Sequence, residues 1–258
     1  MKKDLGYKIA IGVLAIIIIL EWVFIITRPK IVPPRIPVAV KGKIAIVIDD
    51  WGYNLNNLHM LGQIKEPLTC SVLPNLIYSR RVAEELHSRG FQIILHLPME
   101  PHEKYKLEKD TILTSMDEAT IRDIVDRDLA SIVYAKGVSN HMGSRATEDT
   151  RTMEIVFKEL KKRRLYFLDS LVSAESICFE LAHKMGLGFA KRGVFLDNEE
   201  EPRYIRQQLY KLKLKAKIYG HAIGIGHDRK ITLEVLKETM PELEKEGYKF
   251  VFLSELVK

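Results

Sequence analysis

From residue 43 onward the sequence alternates short, continuous apolar runs with longer amphipathic segments. Apolar runs of about four to eight residues are typical of strands that are buried on both faces, as in a parallel sheet. The amphipathic segments between them predict helices that cover those faces. A domain of this length and pattern is expected to be α/β, either an open sheet or a (β/α) barrel, regular or distorted. The expected strands are 44–48, 68–73, 91–97, 137–139, 165–168, 188–191, 222–225 and 249–253.

Local signals predict where several helices of this domain begin. Ser79 is expected to cap one helix. Ser115 and Glu118 have the spacing of a capping box for a second helix. Pro202 suits the first turn of a third helix, and Thr232 is expected to start a fourth.

Residues 9–27 hold a nearly apolar run whose one charged residue is Glu21. Since about 20 apolar residues cross a bilayer as a helix, this run predicts a transmembrane anchor behind a basic N-tail, residues 1–8. A buried core helix is disfavoured because the run is apolar on every face. A secretory signal peptide is the closer alternative, but no small-x-small cleavage pattern follows the run. The proline-rich residues 28–42 predict a semi-rigid stalk that leads to the domain, residues 43–258.

The charge distribution decides whether a polyanion is an expected partner. The chain has a formal net charge of +6, and the eight basic and two acidic residues of 1–43 account for all of it. The rest of the chain carries equal numbers of the two signs, so nucleic acid is not an expected partner. The excess of basic residues in 1–43 suits contact of the stalk with anionic lipid headgroups. The side of the membrane stays open at this point, because large domains cross a membrane largely regardless of flanking charge.

Acidic, amide and histidine side chains follow nearly every expected strand. Because parallel strands end at the same edge of a sheet, we expect these side chains to form a common site there. An aspartate with two histidines is a mixed oxygen and nitrogen donor set that suits zinc or another borderline divalent ion. Two aspartates in one site repel each other unless a cation is present. The side chains in question are Asp49, Asp50, His96, Glu100, Asn140, His141, Asp169, Ser170, Asp197 and His227.

Other catalytic classes lack their sequence patterns here. The Asp-x-Asp pattern of haloacid-dehalogenase-type phosphatases is absent, because Trp51 occupies the third position. A phosphotransfer domain needs an aspartate after the third strand, where this chain has His96. No glycine-rich phosphate loop follows the first strand. Cys70 and Cys178 lack metal-binding spacing and are expected to be buried thiols, with a disulfide between them as the less favoured alternative.

Six motifs, spread in order over the domain, resemble those of the divergent polysaccharide deacetylases. The resemblance covers residues 43–258 and is therefore more specific than any single motif. It implies a distorted (β/α) barrel of the polysaccharide-deacetylase type, on an exported domain that faces the cell envelope. The motifs are IVIDDWG at 46–52, HLPMEP at 96–101, NHMGSRAT at 140–147, FLDS at 167–170, FLDN at 195–198 and IGH at 225–227.

The resemblance also implies roles for single residues. Asp49 would be the general base, and Asp50 would bind the metal. His96 resembles the first histidine of a His-x-x-x-His metal motif, and Glu100 replaces the second, as a further ligand or a support for one. His141 looks like the compensating metal ligand.

The remaining roles concern proton donation and the substrate. His227 would be the general acid that protonates the leaving amine. For Arg145 the sequence leaves two interpretations open, an arginine that orients Asp49 and holds its pKa low, or a surface arginine in a loop. Residues expected to bind or orient the substrate are Asn140, Arg145, Asp169, Ser170 and Asp197. For Asp169, Ser170 and Asp197 the alternative is a structural role as helix caps.

The function expected from the resemblance is metal-dependent removal of N-acetyl or related acyl groups from an envelope polysaccharide, with zinc as the expected divalent metal. The domain would be anchored to the membrane and would lie on its extracytoplasmic side. The alternative is a catalytically inert, glycan-binding or scaffolding protein of the envelope on the same fold.

Overall fold

The first helix and the domain that follows it are separate units in the computed structural model, which describes residues 2–28 and 40–258. The two units are Met1–Val38 and Ala39–Lys258, and each is described by itself. Most of the expected stalk, residues 28–42, lies outside the described residues. The domain begins with a strand at Gly42.

Helix α1 (Lys2–Thr27) is continuous and includes residues 2–8 of the expected N-tail as well as the expected span. Its segment Gly6–Thr27 has a mean hydropathy of 3.0. Among the described residues, this is one helix that is long and apolar enough to cross a membrane. The same length and composition also fit a signal sequence near the N-terminus.

The domain is a sheet of parallel strands covered by helices, as its alternating pattern predicts. The expected strands are all present, each within a few residues of its predicted bounds, and the strand at 194–195 was not predicted. The strands are β1 (Gly42–Trp51), β2 (Thr69–Val72), β3 (Gln92–Met99), β4 (Gly137–Met142), β5 (Tyr166–Asp169), β6 (Phe189–Lys191), β7 (Val194–Phe195), β8 (His221–His227) and β9 (Tyr248–Phe250). The helices are α2 (Leu58–Leu61), α3 (Ser79–Ser88), α4 (Glu118–Ser131), α5 (Thr150–Lys162), α6 (Cys178–Met185), α7 (Pro202–Tyr219) and α8 (Lys230–Lys245).

The sheet curves into a distorted, incompletely closed barrel, which confirms the expected fold class. Its strand order is β6–β5–β4–β3–β2–β1–β8–β7, and β9 pairs with the start of β1. Strands β6 and β7 form one extended segment with a break at Arg192 and Gly193. The β6 half pairs with β5, the β7 half pairs with β8, and Gly193 N donates to Ile223 O at 2.8 Å. We call this segment, residues 189–195, the seam, because it joins the two ends of the sheet.

Alternate residues along each strand face two different cores. In β1, Ile44, Ile46 and Ile48 pack in the large cluster that includes the apolar faces of the helices. Ala45 and Val47 belong to a second, smaller cluster inside the barrel. This alternation is that of a strand buried on both faces.

The C-terminal segment closes the barrel at the N-terminal ends of its strands. Val251, Leu253 and Leu256 are buried in the interior cluster. Val251 N donates to Ile44 O of β1, and Lys258 and Phe189 of β6 exchange two backbone hydrogen bonds. Polar side chains occupy the opposite end of the barrel, where the carboxyl ends of the strands lie.

Two of the expected helix caps are wrong. Ser79 is the first residue of α3 and not its cap, and its hydroxyl accepts a hydrogen bond from Leu76 N at 2.9 Å. Helix α4 begins after Asp117, whose carboxylate accepts from Thr120 N at 2.7 Å, so Ser115 is not its cap. An aspartate satisfies the free N–H groups of a first turn as well as a serine does, and here the aspartate is the residue next to the turn.

The other two starts are close to their predictions. Pro202 is the first residue of α7, as expected, with Glu201 as its cap. Helix α8 begins at Lys230, two residues before Thr232. Cys70 and Cys178 are buried free thiols.

Candidate metal centre and active site

The inward-facing positions of three strands continue from the interior core into one cluster of polar side chains. In β1 the inward series Ala45 and Val47 is followed by Asp49, two residues further on. The same alternation carries β3 from Ile94 to His96 and β8 from Ile225 to His227. The cluster therefore lies at the carboxyl ends of the strands, where the sequence predicts it.

A local break in β1 brings two consecutive aspartates to this cluster. The pairing of β1 with β2 shifts register between Ile48 and Trp51. Within the shift, Asp50 has a φ of +65°, in the left-handed region that aspartate and asparagine tolerate better than most residues. Regular strand geometry would send the side chains of Asp49 and Asp50 to opposite faces, and the break removes that constraint.

Asp50, His96 and His141 form a candidate metal site. Asp50 Oδ1 lies 3.3 Å from His96 Nε2 and 3.1 Å from His141 Nδ1. Metal–ligand bonds of about 2.0–2.2 Å in a tetrahedral zinc site place donor atoms about 3.3–3.6 Å apart. The two separations are close to that range.

The hydrogen bonding around these residues also fits a cation. Asp50 Oδ1, the carboxylate oxygen that faces both histidines, is buried and has no hydrogen-bond partner among the described residues, and the neighbouring Asp49 Oδ1 has none either. Buried polar atoms without a partner are rare in folded proteins, and a bound ion is one way in which such atoms are satisfied. Burial raises the pKa of Asp50, but His141 and His96 more than offset this, so the pKa lies well below the usual range. The donor set and its unpartnered atoms thus fit a divalent metal.

A chain of hydroxyl groups supports His96 from behind. His96 Nδ1 and Ser139 Oγ are hydrogen-bonded at 2.8 Å, and Ser139 Oγ is bonded to Ser71 Oγ at 2.7 Å. This contact occupies Nδ1 and leaves Nε2 facing Asp50. Histidine ligands of metals are commonly oriented in this way through their second nitrogen.

Asp49 is buried beside the candidate metal site. Its Oδ2 lies 3.7 Å from His96 Nε2, and its Oδ1 has no hydrogen-bond partner among the described residues. Burial raises the pKa of Asp49, and the nearby charge of Asp50 adds to this, while His96 and His227 act in the opposite direction. The expectation that its pKa is held low is therefore wrong, because burial dominates.

His227 approaches the cluster from β8 and is held by Asp197. Its Nδ1 donates to Asp197 Oδ1 at 2.9 Å, and its backbone N donates to Oδ2 at 2.8 Å. Thr232 Oγ1 also donates to Asp197 Oδ2, at 2.7 Å. Burial lowers the pKa of His227, but Asp197 outweighs burial and raises it above its usual value. His227 Nε2 faces Asp50, with 4.0 Å between Nε2 and Asp50 Oδ2.

Glu100 and Arg145 pair with each other at the rim. Glu100 Oε2 accepts from Thr114 N at 2.6 Å and from Thr114 Oγ1 at 2.7 Å. Arg145 Nη1 lies 3.6 Å from Glu100 Oε1, and more than half of the Arg145 side chain is exposed. The guanidinium therefore does not make the predicted contact with Asp49. Within the described residues, the ligand group of Asp50 and the two histidines does not include Glu100.

The remaining predicted residues fix the loops after β4 and β5. Asn140 Oδ1 accepts from Ser170 N at 2.8 Å, and Ser170 Oγ donates to Asn140 O at 3.1 Å. Asp169 accepts from Leu171 N at 2.7 Å and from Ser176 Oγ at 2.6 Å. The polar atoms of these side chains are thus engaged within the protein.

Sequence reasoning missed Arg192, Phe195 and Ser139. Arg192 donates to Ser170 O at 2.6 Å and lies over the Phe195 ring, 4.6 Å from its centroid. Phe195 in turn stacks on His227, with 5.2 Å between ring centroids. Ser139 was detectable, since it lies on β4 two residues before His141 and therefore on the same face. The position of the Arg192 side chain could not be predicted in this way, because it depends on the break in the seam.

Comparison with known proteins gives a family match and a relative in the same family. A family model described as divergent polysaccharide deacetylase matches residues 46–257. The protein YibQ of Escherichia coli (strain K12) is 35% identical over 202 residues, which are 78% of this chain and 63% of that protein. The chain thus spans less than two thirds of that relative's length.

Solved structures share the fold. An uncharacterized protein of Agrobacterium tumefaciens C58 aligns with a TM-score of 0.81 at 25% identity, covering 85% of this chain and 90% of that one. A family 4 carbohydrate esterase from Streptomyces lividans, solved with acetate, aligns with a TM-score of 0.53 at 14% identity, covering 83% and 94%. At that identity the second likeness concerns the fold alone.

Proposed function

We propose that this chain, which belongs to the divergent polysaccharide deacetylase family, is a membrane-anchored, metal-dependent hydrolase that removes N-acetyl groups from an envelope polysaccharide. The observation that carries the proposal is the grouping of Asp50, His96 and His141 beside a buried carboxylate, Asp49, and a carboxylate-held histidine, His227. A structural barrel has no need of five such side chains at one end.

In this proposal Asp50, His96 and His141 hold the metal, and zinc is the ion we propose, because one carboxylate and two imidazoles form a known catalytic zinc site. When bound, such an ion polarises the acetyl carbonyl and makes water a stronger acid. Ser139 keeps the His96 ring in the orientation that this role needs, through the bond to Nδ1. Glu100 supports the site from its rim, by holding Thr114 and pairing with Arg145.

Two further side chains move protons in the proposed reaction. Asp49 takes a proton from the attacking water, and its burial favours a pKa closer to neutral, where a general base is effective. His227 gives a proton to the departing amine, and Asp197 favours the protonated imidazole that this step requires. Asn140, Asp169 and Ser170 position the loops around the substrate.

The substrate class rests on the family and on the fold. The Streptomyces lividans enzyme of the same fold is a carbohydrate esterase whose structure contains acetate, which is the product that the proposed reaction releases. An N-acetylated amino sugar in an envelope polysaccharide is the substrate we propose. The apolar helix α1 would keep the domain at the membrane, on its extracytoplasmic side.

The proposal is tested by acetate release from N-acetylated glycan fragments, with and without added zinc. We expect release that depends on metal and falls about 10²- to 10⁴-fold in Asp49→Asn and in His227→Ala. The matched control is His59→Ala, which removes an exposed histidine outside the site. Binding of the glycan without release of acetate, under zinc and other divalent ions, would instead favour the inert glycan-binding protein.

The ligand assignment has a separate test by zinc titration. Wild-type protein is expected to bind one zinc ion, and His96→Ala and His141→Ala are each expected to weaken binding by at least tenfold. Unchanged stoichiometry and affinity in both variants would contradict the assignment, whatever the activity assay shows.

A further inference from the structure

The seam leaves a gap in the barrel wall that opens into a second cavity. Strand β8 begins at His221, but the seam pairs with it at Gly224 and Ile225, so within the described part of the chain its first residues have no strand neighbour on that side. A cavity of about 640 Å³ lies at this gap. It lies toward the amino end of β8, whereas the candidate metal centre lies at the carboxyl end, near His227.

The inner wall of this seam cavity is apolar. Phe189, Ile223 and Leu256 line it, and they belong to the barrel's buried apolar residues. Two exposed aromatic side chains also line it, Phe179 from α6 and Tyr219 from the end of α7. The cavity is therefore a concave apolar surface within the size range of small-molecule sites, about 300–1,000 Å³.

The charged side chains that line the seam cavity are all basic, although the side chains of residues 44–258 are neutral overall. Lys191 Nζ lies 5.3 Å from the Phe179 ring centroid, and Lys215 Nζ donates to Gly193 O at 2.9 Å. Among the described residues, neither lysine has a carboxylate within salt-bridge distance. The basic and imidazole side chains around the cavity are His183, Lys191, Arg192, Lys215, His221 and Lys258.

We propose that the seam cavity binds a single-chain anionic amphiphile, a fatty-acyl chain with a carboxylate or phosphate head group. The apolar wall fits the chain, since burial of its methylene groups is favourable at about 0.8 kcal/mol each. Lys191 and Lys215 fit the head group through charge-assisted hydrogen bonds. A bare anion would leave the apolar wall unused, and an uncharged lipid would leave the two lysines without the anionic partner that they lack among the described residues. The proposal does not depend on the deacetylase reaction.

The experiment uses the full chain in phosphatidylcholine nanodiscs and a twelve-carbon fatty acid that carries a photoreactive diazirine near its methyl end. Labelled peptides are identified by mass spectrometry. We expect labelling in 171–193 and 215–223, competed by unlabelled laurate but not by inorganic phosphate. The twelve-carbon alcohol with the same diazirine is expected to label these peptides at least tenfold less, because it lacks the charge.

Charge-reversal variants give the matched comparison. The double variant Lys191→Glu with Lys215→Glu is expected to lose at least tenfold of the labelling. Lys211→Glu with Lys217→Glu makes the same change of net charge on exposed residues outside the cavity, and it is expected to keep the wild-type labelling. Phe179→Ala, which leaves the charges intact, is expected to reduce labelling as well.

Three results would overturn the proposal. They are equal labelling of the two charge-reversal variants, labelling by the alcohol as strong as by the acid, and competition by inorganic phosphate as effective as that by laurate. Circular dichroism of each variant separates loss of binding from loss of fold. None of these results bears on acetate release, so the two proposals fail independently.

Discussion

At the scale of single residues, the left-handed conformation of Asp50 makes one substitution more informative than others. Asparagine tolerates positive φ about as well as aspartate does, whereas alanine does not. Asp50→Asn therefore removes the charge and keeps the backbone that also positions Asp49. A loss of zinc affinity in this variant would therefore show that the Asp50 carboxylate binds the metal, because the backbone at the end of β1 is unchanged.

Asp128 on α4 is a buried carboxyl group whose protonation affects stability. Asn75 Nδ2 donates to its Oδ1 at 2.7 Å, but its Oδ2 has no partner among the described residues. Burial raises the pKa of Asp128 to about 7, and Asp110 adds to the shift, while Asn75 opposes it. An aspartate in an unfolded chain titrates near 3.8. Between these values the native state holds a proton that the unfolded state has lost, so the free energy of unfolding falls as pH rises.

We expect Asp128→Asn to remove this pH dependence, because an amide stays neutral. Relative to wild type, the free energy of unfolding of the variant should rise by about 2–4 kcal/mol between pH 4 and pH 8. Urea unfolding at both pH values measures it. Asp123→Asn, an exposed change on the same helix, is the control. Parallel pH dependence in wild type and Asp128→Asn would contradict the prediction.

Sequence reasoning identified most of the clustered residues because they follow strands, and strand ends are readable from apolar runs. Asp49, Asp50, His96, His141 and His227 are all of this kind. The contact of Arg145 was not readable, because its partner depends on how the loop after β4 turns back over the loop after β3. A guanidinium pairs with the carboxylate that lies within reach, and no sequence spacing states which one that is.

At the scale of elements, the turn after β4 depends on Gly143. Its φ is +87°, and a Cβ at this position would meet Met99 Cβ at 2.9 Å. Gly143 O accepts hydrogen bonds from Thr147 N and Thr147 Oγ1, which fix the turn that follows His141. The turn thus tolerates neither a side chain nor a shift.

Gly143→Ala is expected to lower the free energy of unfolding by about 2–4 kcal/mol, from conformational strain and the contact with Met99 together. It should also weaken zinc binding, because His141 lies two residues away. Gly90→Ala is the control, since Gly90 has a φ of +90° but open space around it. Gly90→Ala should lower the free energy of unfolding by the conformational strain alone, about 1–2 kcal/mol. If urea unfolding shows the same loss of unfolding free energy in both variants, a contribution from the contact with Met99 is excluded.

Element types were more predictable than element ends. The strands follow from apolar periodicity, which tertiary packing reinforces. Asp117 and Ser115 are both good caps, and the choice between them depends on where α4 meets β3 and α5. Strand β7 has two residues, too short for any periodicity. It exists because β8 offers a free edge at Gly224 and Ile225.

At the scale of the whole molecule, α1 should fix the chain to a membrane. We expect the full chain to stay in the membrane pellet after washes with high salt and alkali. Residues 40–258 alone should be released into the supernatant. Ile16→Arg together with Ile17→Arg is expected to reduce retention of the full chain, since an arginine near the centre of a span costs about 2.5–3.5 kcal/mol.

Two further readouts separate an anchor from a signal sequence and identify the side of the membrane. An intact N-terminus by mass spectrometry fits an anchor, whereas loss of residues 1–27 would show cleavage. Protease added to spheroplasts should digest the domain if it is extracytoplasmic. Protection in spheroplasts and digestion in inverted vesicles would contradict the proposed side.

The pairing of β1 has a consequence for how the protein is made. Strand β1 is synthesised first in the domain, but two of its three neighbours, β8 and β9, come from the other end of the domain. Within the domain, β8 and β9 are therefore the last strands to leave the ribosome, and contacts so distant in sequence also form slowly. The barrel cannot be completed before both strands have emerged, and until then β1 lacks two of its neighbours, which leaves an interval in which the chain can still be threaded through a membrane channel.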